Sequence, residues 1–377
     1  MPKSMLLDIL EGSSAHGMLR STAQADRGVL VDQVHFPFLA IVGQREMKIA
    51  LILAVTNPRV GGVLLMGPRG TAKTVAVRGL VDLLPPVERS TCPYGCEPEA
   101  AYAMGMDAVC PECAAKLGRG ESITAPDRMR LIELPLNARL DDVVGGVDER
   151  VAIEQNRVRL EKGILAHADK NILYIDEINL LDASIINAIL DAAAQGRYNV
   201  NRGPLAATYH ARVVLIGSMN PEEGGLRPQI LDRIGLHVVV RGLDTIPDRL
   251  EVVRRANLFA ENPHSVMGEY AEDTLAMTEE IKEAKSLLPK VRVAPDAAEL
   301  ALRAVMQLNI PSSRAEIYTL EAARAHAAAD GRTLATQEDV RAVATMTLRQ
   351  RTSEFMQAYF QRSQDEDQRI RQTVAAL

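Results

Sequence analysis

The chain has 377 residues and no tryptophan, and aromatic residues make up only 3% of it. Alanine and leucine dominate instead, which favours helices and helix-bearing α/β layers. No run of about 18 apolar residues occurs, so no membrane-spanning helix is expected. Near the start, Met5, Leu6 and Leu7 are interrupted by Asp8. That stretch is too short for the apolar region of a secretory signal, and the expected compartment is the cytoplasm. Positive charge is not in excess either: 43 Lys and Arg stand against 49 Asp and Glu, a net charge of −6. Without a global basic field or a basic helix, nucleic acid is not an expected partner. Cysteine is scarce at four residues. In a cytoplasmic chain these are more often metal ligands or redox switches than structural disulfides. The length can hold two domains and bury a core without disulfide staples.

What is present is an α/β rhythm beginning at Phe36. The pattern predicts a helix over 44–55, ended near Asn57-Pro58, and a buried strand over 63–66. A helix over 74–84 follows and is stopped by Pro85-Pro86. Residues 88–130 break the rhythm, hold all four cysteines and read as an insertion. Further strands are expected over 131–134, 172–175, 213–216 and 237–240, with a helix over 184–195 and a hairpin over 151–161. Strands alternating with helices indicate a parallel sheet covered on both faces. After Asp244 only helices are expected, over 246–260, 271–287, 296–308, 312–330 and 336–350, with a connector over 291–295. The reading is a polar N-terminal extension (1–34), an α/β nucleotide-binding domain (35–243), a smaller all-α domain (244–350) and a polar tail (351–377).

The segment GPRGTAKT (67–74) lies one residue from the phosphate-loop pattern G-x-x-x-x-G-K-[ST], with Ala72 at the second glycine. In such a loop successive backbone N–H groups of Gly67, Pro68, Arg69, Gly70, Thr71 and Ala72 wrap phosphate oxygens, proline excepted for want of an N–H. Lys73 supplies the cation, Thr74 a hydroxyl for Mg²⁺, and the following helix its N-terminal dipole. Ala72 is compatible with a negative φ, as in a helix's first turn, and destabilising with a positive one. NILYIDEINLL (171–181) then places Asp176 and Glu177 at a strand end. There a first carboxylate can hold the Mg²⁺ shell and a second can polarise an attacking water. GSMNPEEGG (217–225) places Asn220 at the end of another strand, where ligands of such sheets bind and an amide can orient water. Arg227 and Arg233 follow in LRPQILDRIG, and arginine stabilises the charge spreading over a transferring phosphoryl group.

Taken in order, FPFLAIVGQ, GPRGTAKT, LPLNARLDDVVGGVD, GILAHADKNILYIDEINLLD, GSMNPEEGGLRPQILDRIGLHV and PSSRAEIYTLEAARAHAAADGR resemble the AAA+ ATPase subunit of magnesium chelatase, from about Phe36 to Arg351. The resemblance implies an AAA+ P-loop ATPase with a parallel sheet sandwiched by helices and a smaller all-α lid. It implies ATP and Mg²⁺ as cofactors and a hexameric ring in which Arg233 acts on the neighbour's nucleotide. It implies Arg314 as the lid's sensor arginine, and Ile41, Val42 and Gly43 as the lining of the adenine pocket. Its implied partners are a second, integrin-domain-bearing AAA+ subunit and a large porphyrin-binding subunit that inserts Mg²⁺ into protoporphyrin IX. Two positions depart from the family. Gly is common at the position of Ala72 and an acid is frequent at that of Pro68. Alanine there is similar to the loops of MoxR-type ATPases, so a MoxR-like or cobaltochelatase-like chaperone is the rival reading, and a DNA-associated AAA+ factor a distant third.

The cysteines Cys92, Cys96, Cys110 and Cys113 are spaced C-x₃-C-x₁₃-C-x₂-C. Two close pairs joined by a short loop can supply four thiolates to one tetrahedral zinc. A redox-responsive pair and unligated buried thiols are the other readings.

Overall fold

The computed structural model describes residues 34–92, 95–146, 160–202, 205–352, 368–369 and 372. The expected hairpin over 151–161 falls almost wholly outside them, as do most of the expected N-terminal extension and tail.

Five short strands form one parallel sheet: β1 (Val63–Met66), β2 (Leu131–Glu133), β3 (Ile172–Ile175), β4 (Val214–Met219) and β5 (Leu236–Val239), in the order β2-β3-β4-β1-β5. VLLM and ILYI are buried at every position, because helices cover both faces. The two-residue period of a strand sorts these side chains into two cores. Val63, Leu65, Tyr174, Val214 and Ile216 pack on one side with α1 (Arg45–Thr56) and α2 (Lys73–Leu80). Leu64, Met66, Leu173, Ile175 and Leu215 pack on the other with α3 (Ala183–Gln195). The helix expected over 74–84 ends earlier: α2 stops at Leu80 and a 3₁₀ turn, Val81–Leu83, carries the chain to the two prolines.

Past Asp244 come α4 (Ile246–Glu261), α5 (Ala271–Leu287), α6 (Pro295–Gln307), α7 (Arg314–Ala329) and α8 (Gln337–Leu348). The expected connector carries a two-residue strand, Arg292–Val293, paired in parallel with Leu334–Ala335. Helix α7 buries Ala315, Ala322, Ala323, Ala325, Ala327 and Ala328, so the scarcity of aromatics is met by close helix approach on alanine. Helices α5 to α8 share the core of α1 and α2, while α4 buries no residue. Arg351, read from sequence as the start of a polar tail, is instead buried. Its guanidinium donates to the carbonyls of Thr347 (2.5 Å), Asp232 (2.8 Å), Ile234 (2.7 Å) and Gly235 (3.1 Å) and lies over the Tyr318 ring. A buried cation is tolerated only when it is so completely partnered.

The insertion is tied to the sheet at both ends. Val87–Ser90 pairs antiparallel with Thr124–Asp127, and two short helices, Pro98–Met104 and Pro111–Gly118, lie between them. Glu97 receives a bidentate grip from Arg212 (2.6 and 2.7 Å) and a further bond from Lys170 (2.9 Å), while Arg212 also holds Asp169. Burial alone would raise the Glu97 pKa, but Arg212 and Lys170 bring it down to about 2. The folded-state value is therefore below the ordinary carboxylate value, and the stability it contributes is complete above about pH 4.5 and lost as the pH falls toward 2. Glu97→Gln should lower stability at pH 7 by about 2 kcal/mol, allowing for solvent screening. Urea midpoints measured between pH 7 and pH 2 should show a shallower acid limb in the variant than in the parent.

Candidate nucleotide site

Strand β1 ends at Met66 and α2 starts at Lys73, so residues 67–72 turn between a buried strand and a helix N-terminus. The turn is tight at its entrance. The Gly67 N–H donates to the Met219 carbonyl (3.1 Å), and a Cβ at this position would sit 2.1 Å from the Val240 carbonyl oxygen. Only glycine fits there. Lys73 Nζ donates to the carbonyls of Gly67 (2.6 Å) and Pro68 (2.8 Å), and the Thr71 hydroxyl also donates to Pro68 (2.9 Å). Burial lowers the Lys73 pKa, and the carboxylates of Asp176, Glu177 and Glu223 oppose that shift.

Ala72 has φ +64°, in the left-handed region. Of the two cases for Ala72, the geometry is the positive-φ one, in which alanine is destabilising. The loop must reverse into α2 at this residue, and glycine does so without a Cβ penalty.

The strands bring the acidic residues alongside. Tyr174 and Asp176 are two apart and so share a face of β3's line. The buried Tyr174 hydroxyl donates to Asp176 Oδ1 (2.9 Å) and lies 3.1 Å from Thr74 Oγ1. Its single proton goes to Asp176, so Thr74 is the donor in the second bond, and the Thr74 lone pairs remain available. Ser218, from β4, also donates to Asp176 Oδ1 and accepts from the Glu177 N–H (3.2 Å). Glu177 has φ +49° and pairs with Arg69 (3.0 Å), which also pairs with Glu223 (2.5 Å). Asn220 is buried just past β4; its Oδ1 caps the Glu222 N–H (3.3 Å), and its Nδ2 reaches Glu222 only at 3.5 Å. Near this rim, Asn179 Oδ1 and Glu223 Oε2 are buried acceptors with no protein donor.

The structure thus brings Lys73, Thr74, Asp176 and Glu177 together, with Asn220 on the adjacent strand end. Sequence reasoning missed Tyr174, Ser218 and Glu223, and it read Arg69 as a loop residue without its pairing to Glu177 and Glu223. The two-residue period linking Tyr174 to Asp176 and Ser218 to Asn220 was the available signal for the first two. The segment 41–43 leads into α1: Ile41 is buried, its carbonyl accepts from Lys48 Nζ (2.5 Å), and Gly43 has φ +62°. Burial, with help from Arg255, lowers the Lys48 pKa to about 8. A cavity of about 460 Å³ opens beside this segment, lined in part by Gln44, Met47, Val239, Arg241 and Leu243.

The arginines lie elsewhere. Arg227 precedes the short helix Pro228–Leu231. Arg233 Nη1 bonds to Asp191 of α3 (2.8 Å), and Arg314 Nη1 to Asp232 (2.7 Å). Among the described residues neither Arg233 nor Arg314 bonds to the phosphate loop. The four cysteine sulfurs lie within 4.8 Å of one another, away from this site in the insertion.

Ala72→Gly should stabilise the chain by about 0.5–1 kcal/mol, the relief of left-handed strain less glycine's greater unfolded-state freedom. The urea midpoint of the variant should exceed that of the parent.

Residues 298–373 match the AAA lid domain family, and residues 148–233 match the MCM P-loop domain family. The latter match starts after the phosphate loop and spans Asp176 to Arg233. A magnesium-chelatase subunit ChlI homolog of Methanocaldococcus jannaschii is 44% identical over 85% of this chain and 86% of its own length. The magnesium-chelatase 38 kDa subunit of Acidiphilium rubrum is 42% identical over 84% of this chain and 90% of its own. A solved structure from Cytophaga hutchinsonii, 19% identical, shares the fold with TM-score 0.53 over 83% of each chain. With that end-to-end likeness added to a phosphate loop set against two strand-end carboxylates, the chain belongs to the AAA+ ATPase subunits of the magnesium-chelatase ChlI family.

Proposed function

We propose that this ATPase is the ring-forming motor of a magnesium chelatase, acting through an integrin-domain AAA+ subunit on a large subunit that inserts Mg²⁺ into protoporphyrin IX. The ring is proposed to be a hexamer. The observation that carries this client rather than another is the likeness to a magnesium-chelatase 38 kDa subunit across 84% of the chain, alongside that to a ChlI homolog across 85%.

Within the nucleotide site the donor set suits MgATP. Lys73 and the N–H groups of 69–72 offer cation and donors for the phosphates. Thr74 and Asp176 both bond to the Tyr174 hydroxyl, and the free Thr74 lone pairs and the carboxylate suit a hard, oxygen-seeking cation. The unpartnered acceptors of Asn179 and Glu223 suit bound water at the same rim. Bound MgATP would supply the γ-phosphoryl group and the ion that neutralises its charge.

The remaining roles belong to side chains of the chain itself. Glu177 accepts a proton from the attacking water, and its pairing with Arg69 holds the carboxylate at the strand end. Asn220 presents its loosely held Nδ2 to orient that water. Ile41, Val42 and Gly43 line the base. Arg314 reads the nucleotide from the lid, and Arg233 completes the site of the next copy, after exchanging Asp191 for phosphate.

Lys73→Ala should weaken nucleotide binding by about 100-fold or more. Glu177→Gln should bind ATP and release phosphate about 10²–10⁴-fold more slowly. Arg233→Ala should keep binding yet lose about 10³-fold or more of turnover in the assembled ring; normal turnover would transfer the role to Arg227. The client is tested by mixing the protein with active large and integrin-domain subunits, protoporphyrin IX, Mg²⁺ and ATP, and following Mg-protoporphyrin by its fluorescence. Product that requires Lys73 is expected. No product, from a protein that still hydrolyses ATP, would mean the ring serves a different client.

A further inference from the structure

The four-cysteine knuckle is unrelated to nucleotide chemistry in position. It grows from the strand pair Val87–Ser90/Thr124–Asp127, whose Arg89 bonds to the Asp169 carbonyl and to Asn171. Asn171 immediately precedes β3, while Asp176 immediately follows it, so the knuckle sits at the opposite ends of the strands from the phosphate loop. A four-residue strand alone separates those ends by about 13 Å.

Its geometry is specific. Cys92 Sγ lies 3.7 Å from Cys96 Sγ and 3.6 Å from Cys110 Sγ, and all four sulfurs fall within 4.8 Å of one another. Tetrahedral thiolates with metal–sulfur bonds of about 2.3 Å stand about 3.8 Å apart. A polynuclear iron–sulfur cluster spreads its four sulfurs more widely, because its ligands are divided among separate irons. The Cys110 N–H donates to Cys96 Sγ (3.3 Å), the kind of backbone bond that steadies a metal-bound thiolate. None of the four is in a disulfide, and together with Ala101, Val109, Ala114, Leu117 and Ile123 they form a small separate core. A core of five apolar side chains, two of them alanine, and four sulfurs is too small to fix two short helices by burial alone.

We propose that Cys92, Cys96, Cys110 and Cys113 bind one Zn²⁺ as a closed, structural tetrathiolate site that holds the insertion folded. All four positions around the metal are taken by protein, so no place is left for water or substrate, and the site is not catalytic. Cys96 adjoins Glu97, so the metal also fixes the backbone from which Glu97 reaches Arg212 and Lys170. Metal binding and docking of the insertion on the sheet are thereby one event.

The test uses the full chain, purified without chelator and without a histidine tag. Elemental analysis should find about one zinc per chain, released by a mercurial thiol reagent in step with the loss of four titratable thiols. The Cys110→Ser/Cys113→Ser double variant should retain no stoichiometric zinc and should unfold at a lower temperature. Because that variant can fail to fold, Co²⁺ reconstitution of the parent chain provides a second arm. Intense visible bands of tetrahedral thiolate cobalt are expected, and their absence overturns the proposal. It is also overturned by metal-free protein with four reactive thiols, by disulfides among these cysteines, by iron in place of zinc, or by zinc that persists in the double variant.

Discussion

The Tyr174 hydroxyl is the joint on which the nucleotide site depends. Tyr174 is 1% exposed, in the middle of a strand covered on both faces. A buried phenol without partners would cost about 1–3 kcal/mol, and burial pushes its pKa up, so it stays protonated. It has one proton to give and gives it to Asp176. That choice orients the Thr74 hydroxyl, which donates inward and turns its lone pairs out. One buried side chain thus sets the first turn of α2 against the end of β3 and orients the two oxygen donors that suit Mg²⁺. Ser218 adds β4 to the same carboxylate. The parallel register Leu65↔Ser218 and Tyr174↔Ile216 makes these meetings unavoidable. A one-residue slip would turn Tyr174 and Ser218 to the other face and dissolve the site.

A second constraint links the arginines to the lid. Asp232 is shared: its side chain accepts from Arg314 of α7 and from Arg351 beyond α8. Burial raises the Asp232 pKa, but Ser312, Arg314 and Arg351 pull it below its ordinary value, so it is ionised. Asp232 adjoins Arg233, and Tyr318 of α7 donates to the Arg233 carbonyl (3.0 Å). A movement of α7 that draws Arg314 toward a nucleotide must therefore break its bond with Asp232 and disturb the backbone that carries Arg233. Arg314 and Arg233, to which the proposal gives the lid and trans roles, are thus linked through Asp232 and the backbone beside it.

Much of this was legible in the sequence because the motifs are local. The strands VLLM and ILYI are apolar at every position, and only a strand covered on both faces reads that way; both bounds come out as expected. The residues Lys73, Thr74, Asp176 and Glu177 could be named because phosphate chemistry fixes their types and spacing. What was not legible is non-local or depends on φ. The sign of φ at Ala72 follows from how the loop meets Val240 and α2, not from the residue type. The Arg351 socket is built from carbonyls of residues 232–235, more than a hundred positions away, so the arginine looked like tail. The hairpin Arg197–Arg202/Leu205–His210 went unread because its inward face, Tyr198, Val200, Leu205, Ala207 and Tyr209, is buried only at Val200 and gives a weak alternation.

The two ends of the sheet divide the labour. Ligand chemistry gathers at the C-terminal ends of β1, β3 and β4, where loops can present N–H groups and carboxylates and where left-handed residues such as Ala72 and Glu177 accumulate strain. The N-terminal ends carry Lys170, Asn171 and Arg212, whose side chains hold the insertion, and Asp169, whose carboxylate holds Arg212. A network of three acids and bases around Glu97 is stiff only while every member is in place, since the loss of one leaves a partly buried charge behind. Stiffness at that end is what allows strain at the other: a left-handed alanine persists only where the surrounding structure over-determines it. The insertion therefore need not touch the nucleotide to matter to it. By pinning the start of β3 through Asn171, it fixes the line along which Tyr174 and Asp176 are delivered to Thr74.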